Sequence, residues 1–510
     1  MKKKEGEMKL KVKVLNLSAG RPIAILHKDT AEQLQVQEDS RIKLRKFHKK
    51  SKKKWITAVV NIAVAILKRD EVALTQDIVK ALKLKNGDFV EILAELRPHS
   101  ILSIYKKMHG KKLNFTEIYS IISDISKGRL TESEIAYFVS AVYYKGLDFE
   151  ETLNLTKAMV KTGNVLRHPY KYVLDLHSCG GVAGNRTSPI VVSLIASAID
   201  YLKLDAAIPK TASRAITSAA GTADVMETVA KVVFTVDQLK KIIEKTRACL
   251  VWNSALELSP ADDKIVKIES LVSIDAEPQL LASVISKKIA DGATHVLIEI
   301  PYGESSKFNF KEAVNLKRKF LKLASKFGLK MRVILTKGNE PIGRGIGPVL
   351  EMLDVLAVLK NEKEKPIDLE NKSLMLASEL LSLIGINKKE ALSLCKLLLY
   401  SGRAYQKFKE IVIAQGGKIN FEDNLQIGKY KTDMKSEKAG EVKGIDNKKI
   451  ALIAKMAGCP GDKGAGIYLH KKIHDKVKEN ETLFTIYSES IEKLNHAKRI
   501  AKQIKPFKIE

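Results

Sequence analysis

The spacing of apolar positions changes character three times along the chain. Between residues 9 and 95, short apolar runs such as Val12-Lys13-Val14-Leu15 and Trp55-Ile56-Thr57-Ala58-Val59-Val60 alternate with charge, which predicts strands around one short helix near Ile78 to Leu82. Arg97-Pro98 marks a boundary, and from Thr116 to Gly163 the spacing becomes helical. Thr131-Glu132-Ser133-Glu134 reads as a capping box ahead of Ile135, Phe138, Val139 and Val142, which form one apolar stripe that Gly146 ends. Leu153, Leu155, Met159 and Val160 predict a further helix, closed at Gly163.

From Tyr172 onward the pattern alternates. A strand over Tyr172 to Leu174 precedes a helix from Pro189 to about Ala198, and Val296 to Ile300 and Met331 to Leu335 read as later strands. Residues 464–470 and 483–487 predict strands of a small terminal unit, with Asp475 and Asn480 as turn residues between them. The fold class expected is multidomain α/β: a small, mostly β domain over 1–95; a helical domain over 96–170, with a later helical contribution near 255–290; a large α/β domain with a mixed, mostly parallel sheet over 171–415; and an α+β domain over 416–510. Ligands of open α/β sheets sit where strands end and helices begin, so the loops there are the places to search.

Composition narrows the class. Of 510 residues 45% are hydrophobic and 29% charged, the range of a folded globular chain. Lys and Arg number 88 against 59 Asp and Glu, a net +29, so anionic partners are expected. The basic run Arg41 to Lys54 lies between strands; it suits either an RNA contact or a solvated hairpin, and the absence of an aromatic platform favours the hairpin. Cys179, Cys249, Cys395 and Cys459 show no metal-binding or redox spacing and read as reduced thiols. The basic opening leads into no apolar core of a signal peptide, and no stretch approaches the roughly 18 apolar residues of a membrane span. A cytoplasmic protein with no membrane partner is expected.

Two loops carry candidate chemistry. Asp175 to Pro189 follows a strand and opens a helix; Gly180, Gly181 and Gly184 allow close backbone approach, Ser178, Thr187 and Ser188 supply hydroxyls, and the helix start presents unpaired N–H groups, a combination that favours an oxyanion. It is neither a Walker A loop nor a dinucleotide fingerprint. Lys210 to Glu227 packs hydroxyls, small residues, Arg214 and the turn Gly221-Thr222-Ala223-Asp224 together before a helical stretch, an arrangement suited to sugar hydroxyls and phosphate oxygens, with a turn capped by Asp224 as the plain structural alternative.

Together these runs resemble the thymidine and pyrimidine-nucleoside phosphorylase family. Ser213, Arg214, Gly221, Thr222, Asp224 and Glu227 fill its signature places, although the first serine place falls on Ala212. The wording Ser213 to Ser218 and the separate N-terminal domain are similar to the branch that includes the archaeal AMP phosphorylases, and the similarity extends through Gly343-Arg344-Gly345-Ile346-Gly347 to Asp462-Lys463-Gly464-Ala465-Gly466. The resemblance implies phosphorolysis of a nucleoside 5′-monophosphate: AMP, with CMP and UMP as further candidates, plus phosphate gives base and ribose 1,5-bisphosphate. It implies that Ser178, Gly180, Thr187 and Ser188 bind phosphate, and that Gly181, Ser213, Arg214, Ala215, Ile216, Thr217, Ser218, Thr222, Ser283 and Lys307 bind substrate. Asp275 falls on the place of the proton donor to the leaving base, a role that requires its desolvation. Ser283 and Lys287 share one helix face. No metal or cofactor is expected, and a homodimer or larger homo-oligomer is.

Two departures matter. The family's phosphate-loop lysine place holds Leu176, leaving Arg186 or Lys210 as replacements, and its base-clamping arginine aligns with Ile268, which disfavours a pyrimidine nucleoside. The segment Asp200 to Asp205 also looks longer than is usual there. Thymidine phosphorolysis, phosphoribosyl transfer and RNA binding are the alternatives; nucleic acid is the weakest partner.

Overall fold

The alternating N-terminal segment closes on itself. In the computed structural model, which describes residues 8–19, 21–47, 55–215, 218–256, 258–272 and 274–510, six strands form a closed barrel in the order Met8–Val14, Glu71–Leu74, Ile23–His27, Ile56–Ala63, Arg41–Lys46 and Phe89–Glu95. Leu10, Val12, Ile42, Leu44, Val90 and Ile92 fill its interior while Lys9, Lys11 and Lys13 alternate outward, and closure leaves no unpaired edge. The expected short helix covers Gln76–Leu82. The described part of the basic run is a barrel strand whose cations are spoken for. Lys43 meets Glu95 at 2.8 Å and Lys46 meets Asp88 at 2.6 Å, Arg45 pairs with Glu91 and Arg41 with Glu134. Residues 48–54 of that run lie outside the described residues, as do Ile216 and Thr217.

Contacts divide the chain into two units, Met1–Thr162 with Pro260–Ser283, and Gly163–Ser259 with Val284–Glu510. The first unit adds to the barrel the helices Ser100–Met108, Phe115–Ser126, Glu132–Lys145 and Phe149–Thr162, together with Pro260–Val272 and the start of Glu277–Ala290. The capping box forms as its residues predict: Thr131 Oγ1 accepts from Glu134 N at 3.3 Å and Glu134 Oε2 from Thr131 N at 2.8 Å, and Gly146 ends the helix at φ +66°. Phe138, Val139, Val142, Leu155 and Met159 meet Ile265 and Ile268 in one core.

The second unit is built on five strands in the order Lys330–Lys337, His295–Tyr302, Tyr172–Ser178, Ala206–Ala212 and Ala248–Trp252, every neighbouring pair parallel. Helical crossovers between successive strands make that outcome natural. The strand begun at Tyr172 runs to Ser178, four residues beyond the apolar signal, because Asp175 interrupts the apolar run and is nonetheless buried. The next helix starts at Thr187 rather than Pro189 and continues to Leu202. Within the segment Asp200 to Asp205, Lys203 caps that helix in the left-handed conformation and Asp200 pairs with Lys407.

The terminal segment folds as a four-stranded sheet, Gly345-Ile346, Gly466–Leu469, Thr482–Ser488 and Tyr430–Lys435, and a three-stranded one, with helices Asn447–Met456 and Ile491–Ile504. Its core takes in Ala183, Ala219 and Ile346 from the α/β segment, so both candidate loops are anchored in it. All four cysteines are buried and outside any disulfide, and no helix among the described residues is long and apolar enough to cross a membrane. Replacing Thr131 by Ala removes one half of the capping box and is expected to cost about 1 kcal/mol, read as a lower denaturant midpoint of the full chain at unchanged slope; an unmoved midpoint would show that the box adds nothing.

Candidate active site

The central strand ends at Ser178 and the chain turns sharply through Gly180 and Gly181 before entering the helix at Thr187. Gly181 has φ +88°, and a Cβ there would lie 2.5 Å from the Lys307 amide nitrogen; one at Gly184 would lie 2.4 Å from the Ile342 carbonyl oxygen. The loop is therefore pressed against two neighbours that only glycine admits. Ser178 Oγ accepts from Gly180 N and Asn185 Nδ2, each at 3.4 Å, and Cys179 N donates to Glu299 O at 2.9 Å. Thr187 is buried and Ser188 half-buried in the first turn of a sixteen-residue helix, whose free N–H groups and dipole favour an anion.

Arg186 joins this loop to the second one. Its guanidinium donates to Thr222 Oγ1 at 2.6 Å and to Ala220 O at 2.8 Å, while Nε binds the buried Glu351 at 2.8 Å. Burial pushes the Glu351 carboxyl up, and Arg186 opposes that. Asp224 shapes the second turn by accepting from Gly221 N at 2.9 Å and Ala215 N at 2.7 Å. Arg214 pairs with Asp224 at 3.1 Å and Glu227 at 2.6 Å and lies over the Trp252 ring. Its hydrogen bond holds the Glu227 carboxyl down at about 2, helped by Lys463. Ser213 and Ser218 are exposed, Ala215 and Thr222 half-buried. The structure thus places Ser178, Gly180, Gly181, Thr187 and Ser188 on one loop and helix start, ties Thr222 to that loop through Arg186, and sets Lys307 against Gly181.

Asp275 and Ser283 belong to the other unit. Asp275 is exposed just ahead of the helix Glu277–Ala290, and Ser283 Oγ donates to Asp262 at 2.8 Å. Ile268, in the place of the base-clamping arginine, is buried in the helical core.

Beneath the glycine loop lies a charge cluster that the sequence reading passed over. Asp175 meets Lys288 at 2.5 Å and Lys210 at 3.5 Å, Lys288 meets Asp291 at 3.1 Å, and Thr211 Oγ1 donates to Asp291 at 2.8 Å, all four charges being buried. Burial raises the Asp175 carboxyl, but the two lysines outweigh it and leave it low; burial drives Lys210 down to about 8 and Asp291 upward. Lys210 and Arg186, the two candidates to replace the missing lysine, are thus both engaged with protein groups, and Leu176 is part of the α/β core. Burial, followed by Lys288, Lys210, Lys287 and Lys307, holds His177 well below its ordinary range and therefore neutral. The available signal was an acid inside an apolar strand run, as in Val173-Leu174-Asp175-Leu176 and again in Leu297-Ile298-Glu299-Ile300.

Three family models match the chain: "Glycosyl transferase family, helical bundle domain" over 103–163, "Glycosyl transferase family, a/b domain" over 170–306 and "Pyrimidine nucleoside phosphorylase C-terminal domain" over 441–506. The chain is 42% identical to the AMP phosphorylase of Methanocaldococcus jannaschii over 90% of both chains, and 39% identical to that of Pyrococcus furiosus over 99% of this chain and 98% of the other. The chain belongs to the AMP phosphorylase family. The AMP phosphorylase of Thermofilum pendens is 40% identical over 98% of this chain and 94% of its own. Among solved structures, anthranilate phosphoribosyltransferase from Thermus thermophilus is 17% identical with a TM-score of 0.51, covering 62% of this chain and 99% of its own, a likeness of fold alone. The glycine loop and the Thr222 turn, the two candidate loops of the sequence, are the two that Arg186 ties together.

Two outcomes follow for the site. Gly181→Ala forces a methyl into the Lys307 backbone and should weaken orthophosphate binding at least tenfold by equilibrium dialysis; retained affinity would mean that the loop is not the anion site. Because the folded state resists protonating His177, the unfolded chain takes up that proton first. Stability should therefore fall as pH drops below about 6.5, by up to roughly 1.4 kcal/mol per pH unit from this group. His177→Gln should flatten that part of the curve of thermal midpoint against pH.

Proposed function

We propose that the protein is a nucleoside 5′-monophosphate phosphorylase acting on AMP, with CMP and UMP as further substrates. The observation that supports the reading is the Arg186 bridge, which ties the glycine loop to the Thr222 turn at the carboxyl ends of parallel strands, where ligands of such sheets sit. Family membership supplies the reaction class.

Ser178, Gly180, Thr187 and Ser188 would hold orthophosphate, with Thr222 as a further oxygen ligand. Ser213 to Ser218, together with Gly181, Ser283 and Lys307, would hold the nucleotide; the charge that suits its 5′-phosphate comes from Lys307 and Lys287. A phosphate oxygen attacks C1′ of the ribose, the bond from C1′ to the base nitrogen breaks, and its electron pair leaves with the base. Asp275 delivers a proton to N7 of a departing purine, completing base and ribose 1,5-bisphosphate. Preorganised N–H groups and hydroxyls would stabilise the charge on the attacking phosphate, so this chain's own residues account for the chemistry.

A thymidine-cleaving enzyme is the second reading, and the buried Ile268 argues against it, since no guanidinium stands at that place to clamp a pyrimidine. A homodimer or larger assembly in the cytoplasm is the expected working form, on the family resemblance.

The test is phosphate-dependent release of free base from AMP, CMP, UMP, adenosine and thymidine, with and without chelator. AMP should be cleaved far faster than adenosine or thymidine, and chelator should leave the rate unchanged; strict magnesium dependence would point instead to phosphoribosyl transfer. Asp275→Asn should lower kcat on AMP by roughly a hundredfold or more, and a variant with full rate would remove Asp275 from the mechanism.

A further inference from the structure

The terminal domain sends one side chain into the middle of the site's scaffold. Asn447 opens the helix Asn447–Met456, but its cap is made by the preceding residue: Asp446 accepts from the backbone of Lys448 and Lys449. The Asn447 amide, 2% exposed, is free of that task and bonds elsewhere. Its Oδ1 accepts from Ala183 N at 3.0 Å, within the glycine loop. Its Nδ2 donates to Ser305 Oγ at 3.0 Å and to Gly338 O at 3.0 Å. Ser306 Oγ donates to that same Gly338 carbonyl at 2.7 Å.

Three loops from three different strand ends thus meet on one planar group. The first is the phosphate-loop candidate, the second carries Lys307, and the third is the turn after the edge strand. Gly338 is packed so closely that a Cβ on it would lie 2.5 Å from Ser306 Oγ and 2.7 Å from Val182, and Gly181 touches the Lys307 backbone in the same way. Only an amide offers an acceptor and two donors in one plane; a carboxylate supplies acceptors alone, and alanine supplies neither.

We propose that Asn447 is a positioning residue for phosphate: it holds the Gly180-Gly181 turn in its anion-binding geometry by fixing it against the loop that carries Ser305 and Lys307. The inference rests on the reading of these loops as the phosphate site, and it places control of that site in the C-terminal domain.

The experiment measures binding of radiolabelled orthophosphate by equilibrium dialysis, alongside AMP phosphorolysis and thermal midpoint, for the full-length wild type, Asn447→Ala, Asn447→Asp, Ser305→Ala and Ile453→Ala. Ile453 is fully buried in the same helix and serves as a control for loss of packing alone. Expected are a tenfold or greater rise in the phosphate Kd and KM for both Asn447 variants, a smaller rise for Ser305→Ala, and an unchanged phosphate Kd and KM for Ile453→Ala even where its midpoint falls. A merely structural amide would lower the midpoint and the amount of active enzyme while leaving the phosphate KM of the surviving molecules as in wild type, and that result overturns the proposal. Should the Asn447 variants fail to fold, Ser305→Ala decides: a wild-type phosphate Kd there overturns it. Wild type that binds phosphate without cleaving any nucleotide would sink the proposed function while the dialysis results still judge Asn447; wild type that binds no phosphate overturns both.

Discussion

The arrangement depends on one buried ion pair, Arg186 with Glu351. A guanidinium at the end of a glycine loop is held from behind by a carboxylate with 1% of its side chain exposed, which leaves its outer N–H groups to fasten Thr222 and the Ala220 carbonyl. Remove the arginine and Glu351 is stranded in the interior, a loss of about 3–5 kcal/mol for a broken buried pair. Remove the glutamate and the guanidinium has no reason to keep its angle. Such a pair contributes little net stability over an apolar pair of similar volume. What it contributes here is geometry, because Arg186 fastens two loops whose bonded residues are 36 apart in sequence.

The charge arrangement has the same logic. Asp175, Lys210, Lys288 and Asp291 form a closed set that satisfies its own members beneath the loops, so its lysines are not anion ligands themselves. They still bias the site. His177 lies within reach of Lys210, Lys287, Lys288 and Lys307, and a further positive charge there is costly, so the imidazole stays neutral and can donate through one nitrogen and accept through the other. In the proposed site, that positive charge would attract phosphate over distance, while the hydroxyls and backbone N–H groups would set where it stops.

Much of this was legible in the sequence, and what escaped did so for physical reasons. Period-two and period-3.6 patterns report burial, so the barrel strands, the Thr131 capping box and the α/β alternation could be read directly. The glycine and hydroxyl runs marked both loops because few other needs produce them. Burial patterns fail where a charge is buried: Asp175 looked like the start of a loop and is the fourth residue of a seven-residue strand. Partners distant in sequence leave no local trace, so Glu351 behind Arg186 and Asn447 behind Ala183 could not be inferred, and Arg186 looked like a free cation when it is a strut. Asp275 was expected to be desolvated, and it is exposed.

That last difference constrains the mechanism. Burial favours the neutral, proton-carrying form of a carboxylic acid, and Asp275 is exposed. For Asp275 to act as the proposed proton donor, exclusion of water would have to arrive with the substrate, through the base covering the carboxyl and the ribose phosphate holding the base there. On that proposal, binding energy from the 5′-phosphate, remote from the breaking bond, would be used to bury the acid and would act on the chemical step as well as on affinity. Under the proposed mechanism a nucleotide would then be favoured for reasons beyond recognition: a nucleoside bound there would lack the anchor that keeps its base pressed over the proposed proton donor.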